Sequence, residues 1–122
     1  MVKLLLVDDN AIDLEIYSHF LKAAGHEVFT ANDGLDGYSK YRQLSPDMVI
    51  TDIVMKNNGL ELLDKIKKDN EAIPVFTMSG GVGNDQGDTL LEVSKEMGAD
   101  FNFHKPVAAT TMLDKINHFF KA

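Results

Sequence analysis

Five short apolar runs of β type alternate with longer segments of helical period along this chain, and that alternation restricts the fold more than any other feature. The runs span residues 4–7, 28–31, 48–51, 75–78 and 101–103. Strand-then-helix units in series require a parallel sheet with helices on both faces. Runs 4–7 and 48–51 are almost wholly apolar, as strands buried on both faces are. Phe101-Asn102-Phe103-His104 alternates instead, as an edge strand does.

The intervening segments supply five helices. The first, 12–24, places Ile16, Tyr17, Phe20, Leu21 and Ala24 on its apolar face and Asp13, Glu15, Ser18, His19 and Lys22 on the other. Asn10 caps its start and Gly25 ends it. The second, 35–44, repeats Leu35, Tyr38, Tyr41 and Leu44 and stops before Pro46. The third, 59–68, buries Leu60, Leu63 and Ile66 and turns Lys65, Lys67 and Lys68 to solvent. The fourth ends at Gly98 with Leu90, Val93, Ser94 and Met97 in line, and the fifth uses Met112, Leu113, Ile116, Phe119 and Phe120. Right-handed crossovers leave few topologies. The best fit is a flavodoxin-like (βα)5 doubly wound α/β sheet of five parallel strands, order 2-1-3-4-5.

Composition narrows the function. A length of 122 residues suits one domain. A net charge of -7 disfavours direct nucleic-acid binding, which needs a basic footprint. The absence of cysteine excludes disulfides, thiol chemistry and Cys-based zinc sites. No stretch approaches the ~20 apolar residues of a membrane span, so the expected location is the cytoplasm.

The chemistry collects where the strands end. Ligands of such sheets bind outside the carboxyl ends of the strands. Asp8 and Asp9 follow the first strand, Asp52 the third, Ser79 with Gly80 and Gly81 the fourth, and Lys105-Pro106 the fifth. Taken singly, each has a plainer use. Asp8-Asp9-Asn10 can cap a helix, Asp52 can sit in a turn, Ser79-Gly80-Gly81 can be a loop, and Lys105 can be a surface lysine. Jointly those uses require four accidents at one end of one sheet. Three clustered carboxylates repel unless a cation joins them, and a hard divalent ion such as Mg2+ takes oxygen ligands. Lys105 and Ser79 can meet phosphoryl oxygens, and Asp52 can act as a carboxylate nucleophile.

These residues resemble the response-regulator receiver family over essentially the whole chain. The motifs are Val7-Asp8-Asp9-Asn10, Thr51-Asp52-Ile53-Val54-Met55, Pro74-Val75-Phe76-Thr77-Met78-Ser79-Gly80, Gly98-Ala99-Asp100 and Lys105-Pro106. The resemblance implies a single receiver domain over residues 1–122. Asp52 then accepts a phosphoryl group from a histidine kinase or a histidine phosphotransfer protein. Asp8, Asp9, Asp52 and the backbone carbonyl of Val54 hold Mg2+ (or Mn2+), Asp8 through water. Ser79 and Lys105 read the phosphoryl group, and the Lys105–Pro106 peptide is cis.

The chain departs from the family pattern at three places. Met55 is followed by Lys56-Asn57-Asn58-Gly59, without the usual proline and one residue short. Asn102 occupies the usual aromatic switch position. The segment 80–88 is long and glycine-rich, and is expected to be mobile until phosphorylation orders it. The resemblance also implies that Val54 and Gly81 flank the path of an attacking water. With no output domain of its own, such a receiver acts as a monomer through an unknown downstream protein, not through nucleic acid or membrane. It is not an enzyme, but it catalyses its own phosphoryl transfer and dephosphorylation. Three other readings compete. A phosphohydrolase with an Asp nucleophile needs a second acid/base carboxylate in a deep pocket. A flavodoxin-like cofactor binder needs a phosphate-cradling loop where Asp8 and Asp9 stand. A degenerate receiver would have lost part of the acidic set, which is intact.

Overall fold

The computed structural model describes residues 2–55, 59–80 and 92–120. Its strands are β1 (Lys3–Val7), β2 (Glu27–Ala31), β3 (Met48–Asp52), β4 (Val75–Ser79) and β5 (Phe101–His104). Its helices are α1 (Ala11–Ala23), α2 (Gly34–Leu44), α3 (Gly59–Asp69), α4 (described over 92–96) and α5 (Ala109–Phe119). The strands form one parallel sheet in the order β2-β1-β3-β4-β5. The expected architecture and strand order are therefore present. The expected loop residues Lys56, Asn57, Asn58 and Gly81, the rest of segment 81–88, and Leu90 lie outside the described residues.

Two apolar layers sandwich the sheet. One joins Leu4, Leu6, Ile50, Phe76 and Met78 to Tyr17 and Leu21 of α1 and Met112 and Ile116 of α5. The other joins Leu5, Val7, Val49 and Val75 to Tyr41 of α2 and Leu62, Leu63 and Ile66 of α3. Alternate residues of each strand thus feed opposite layers, which is why β1 and β3 are apolar throughout.

Helix orientation corrects several expectations. In α1, Tyr17 and Leu21 are buried and Leu14 packs against them, whereas Ile16 is 54% exposed. At about 100° per residue, Ile16 falls on the side opposite Leu14. The Tyr17 hydroxyl accepts the Val107 N–H at 3.2 Å, which fixes that rotation. In α2, Leu35 is exposed, and the buried face is Gly34, Gly37 and Tyr41. In α3, Leu62 is buried in place of Leu60. Phe119 and Phe120 of the C-terminal end are only partly covered, each 39% exposed.

Lys67 is not on a solvated face. Its ammonium donates to the Ile73 carbonyl at 2.7 Å and to Asp100 Oδ2 at 2.8 Å. Asp100 also accepts the Val75 N–H at 2.8 Å, so the pair pins the start of β4.

Gly59 sets the rotation of α3. A Cβ at this position would stand 2.0 Å from the Asp52 carbonyl oxygen and 2.9 Å from Ile53 Cα. Both obstacles are backbone, so the helix start is pressed onto the end of β3. Gly59→Ala is expected to cost about 3 kcal/mol or more, read from urea denaturation. A change under about 0.5 kcal/mol, the scale of an ordinary surface substitution, would contradict the close approach.

Candidate functional site

The carboxyl ends of β1, β3, β4 and β5 deliver the sequence-predicted residues to one place. Asp8 is fully buried, and its Oδ1 accepts the Asn10 N–H at 2.9 Å. Asp9 is exposed beside it. Asp52, 6% exposed, ends β3, and its Oδ1 accepts the Val54 N–H at 3.2 Å. One oxygen from each of Asp8, Asp9 and Asp52 lies within 4.8 Å of the others.

Lys105 crosses from the end of β5 to the acidic group. Its Nζ lies 2.9 Å from Asp52 Oδ2 and 3.0 Å from Asp13 Oδ2, and it also contacts Asp8 Oδ2. The Lys105 N–H donates to the Ser79 carbonyl at 2.9 Å, which ties the two loop starts together. The Lys105–Pro106 peptide is cis, as the resemblance implied. Gly80 lies against the lysine stem, with 3.4 Å between an added Cβ and Lys105 Cβ. The Ser79 side-chain oxygen is buried with no hydrogen-bond partner among the described residues. A buried hydroxyl is rarely left so in a folded protein, and here it ends the strand beside the lysine.

The electrostatics follow from burial. Burial pushes the Asp52 carboxyl up to about 6, against the hydrogen bond and charge of Lys105. Burial works against the Lys105 ammonium too, but the hydrogen bonds it donates to Asp8, Asp52 and Asp13 outweigh it and hold it above the ordinary lysine range. Asp52 binds its proton more tightly in the metal-free folded chain than when unfolded. Its stability contribution is therefore full below pH 3.8 and is lost as pH rises through about 6. A carboxyl 13C titration of metal-free protein is expected to show this raised midpoint, and Asp52→Asn to flatten stability across that window. A midpoint at or below 3.8 would contradict the burial argument.

Two features were not read from the sequence. Asp13, assigned to the outer face of α1, reaches Lys105. The available signal was its place in the first turn of a helix that begins at the Asp8 strand end. Asn102, at the usual switch position, is held by side-chain hydrogen bonds. Its side-chain oxygen accepts from Thr77 Oγ1 at 2.6 Å and from Ser94 Oγ at 3.0 Å, and those two hydroxyls lie 2.9 Å apart. This polar knot joins β4, β5 and α4 behind the site. Ser94, expected on an apolar helix stripe, is fully buried because the knot pairs it.

The doubly wound sheet carries an acidic triad, a lysine and a hydroxyl at its carboxyl edge, an arrangement suited to a divalent cation and a phosphoryl group. The response regulator receiver domain model matches residues 4–117, and the chain belongs to that family. It is 37% identical over 120 residues to Protein PilH of Pseudomonas aeruginosa, covering 96% of each chain. It is 25% identical over 118 residues to the polar-differentiation response regulator DivK of Brucella anthropi, covering 94% of this chain and 93% of that one. A response regulator receiver domain protein from Clostridium thermocellum superposes with a TM-score of 0.87 at 30% identity, covering 97% of this chain and 93% of that one. Other relatives are longer. The chain spans 49% of the CpxR homolog of Haemophilus influenzae, at 36% identity. No described helix is long and apolar enough to cross a membrane.

Proposed function

We propose that residues 1–122 form one receiver domain, a single-domain response regulator of a two-component or phosphorelay system, with Asp52 as the phosphoacceptor. The observation that carries this is the placement of the buried Asp52 carboxylate 2.9 Å from Lys105 Nζ, within the acidic triad. An Asp52 oxygen attacks the phosphorus of a phosphohistidine on a histidine kinase or histidine phosphotransfer protein. The new P–O bond forms as the P–N bond breaks, and the electron pair leaves with the imidazole nitrogen.

Lys105 supplies positive charge to one phosphoryl oxygen, and the Ser79 hydroxyl, unpartnered among the described residues, can donate to another. The donor set is all oxygen, which suits Mg2+ or Mn2+ held by Asp8, Asp9, Asp52 and the Val54 carbonyl. Such an ion, when bound, offsets the charge on the transferring group. Output runs through a phosphorylation-dependent protein contact in the cytoplasm. An acidic chain of net charge -7 suits a protein target better than nucleic acid.

Borohydride trapping tests the acceptor. Reduction after incubation with acetyl phosphate converts an aspartyl phosphate to homoserine, which peptide mass spectrometry locates. Homoserine at position 52 is expected. Homoserine at another aspartate would overturn the assignment.

A further inference from the structure

The carboxylate of Asp13 has no capping work to do. At the third position of a helix an acid ordinarily reaches back to the capping residue or faces the helix dipole. In α1 the Asn10 side chain already accepts the Ile12 and Asp13 N–H groups at 3.0 and 3.1 Å. The Asn10 N–H itself goes to Asp8. Asp13 Oδ2 instead lies 3.0 Å from Lys105 Nζ, 92 residues away in sequence.

An ammonium has three N–H donors and no acceptor. Lys105 contacts three carboxylates: Asp8, Asp52 and Asp13. Two of these belong to the triad suited to a divalent cation, and Asp13 does not. Phosphoryl uptake changes both of the others. Asp8 would share its charge with a bound cation, and Asp52 would become an acyl phosphate. Asp13, with a side chain 34% exposed, is the partner that stays as it was.

We propose that Asp13 is a positioning residue for Lys105, holding its ammonium beside Asp52 while its other two partners change state. This inference rests on Asp52 being the phosphoacceptor. In the acetyl phosphate reaction Asp52 Oδ forms the P–O bond, and acetate departs with the electron pair of the broken bond. Asp13 touches none of the reacting atoms. It keeps the charge that meets the phosphoryl oxygen from swinging away.

The test uses Asp13→Ala, which removes the acceptor, and Asp13→Asn, which keeps an acceptor oxygen. Three quantities are read: the labelling rate with saturating Mg2+ and acetyl phosphate, the Mg2+ dissociation constant from calorimetry, and the Lys105 ammonium 15N resonance without donor or metal. Misplacement of a reacting group by 1 Å can cost ~10²-fold in rate. Asp13→Ala is expected to slow labelling about tenfold or more, with Asp13→Asn recovering most of the rate and Mg2+ affinity held within about twofold. The ammonium resonance should broaden through faster hydrogen exchange in Asp13→Ala and less so in Asp13→Asn. Unchanged labelling in both variants overturns the proposal. So does a rate loss matched by an equal loss of Mg2+ affinity, because Asp13 would then act on the metal. If Asp13→Ala does not fold, Asp13→Leu, a side chain of similar size without an acceptor, takes its place, and an Asp13→Asn protein that loses labelling rate and ammonium protection as fully as Asp13→Leu overturns the proposal equally. A wild-type protein that shows the protected ammonium but takes no label places the failure in the phosphoacceptor reading, not in the Asp13–Lys105 contact.

Discussion

Lys105→Ala is expected to lower the rate of Asp52 phosphorylation by ~10²–10³-fold, the usual loss when one donor to a developing anionic charge is removed. The lysine side chain is 11% exposed and touches three carboxylates, two of them almost completely buried. Its removal leaves Asp8 and Asp52 facing each other without a counter-charge. Breaking a buried ion pair from one side costs about 3–5 kcal/mol, but Asp52 can relieve part of this by taking up a proton. The destabilisation should therefore be larger at pH 8 than at pH 5 in metal-free protein, and Mg2+ should reduce it. Urea denaturation at the two pH values and the labelling time course check both parts. A variant that labels at the wild-type rate would remove Lys105 from the mechanism.

Phe76→Ala is expected to produce the largest loss of stability without touching the chemistry. Phe76 is fully buried, and its ring meets Phe119 at 5.0 Å, Phe103 at 5.7 Å and Phe101 at 6.0 Å between centroids, all edge to face. Truncating such a ring costs about 3–5 kcal/mol through lost transfer energy and a residual cavity. Phe76 pairs with Phe101 in the β4–β5 register, three steps before Ser79 meets His104. The folded fraction should still take up label, because the ladder beyond Phe76 is backbone-bonded. A loss under about 1 kcal/mol, below the range for truncating a buried aromatic ring, would mean that the aromatic cluster closes over the gap.

The site was legible because its residues stand at strand ends, where a parallel sheet must bring them together. Asp8, Asp52, Ser79 and Lys105 needed only the strand positions and the order 2-1-3-4-5 to be placed on one edge. Side-chain direction was less legible. Leu60 and Leu62 are equally apolar, and the choice between them depends on Gly59 pressing against Asp52, a contact between distant backbone segments. Ile16 fits the apolar count of α1, but Tyr17 is tethered to Val107 and turns Ile16 outward. Lys67 sits in a charged helix stripe, yet its ammonium is taken by the Ile73 carbonyl and Asp100. Asp13 was obscured in the same way. A first-turn acid is what any helix favours, and only the path of Lys105 across the sheet edge distinguishes it.

The central claim is that Asp52 accepts a phosphoryl group in a metal-dependent reaction at this site. Intact mass after incubation with acetyl phosphate, with and without Mg2+ and beside an Asp52→Ala control, tests it most directly. One phosphoryl adduct that requires Mg2+ and is absent from the control is the predicted result. A wild-type mass unchanged under conditions that label an ordinary receiver, or an adduct that persists in Asp52→Ala, would contradict the account.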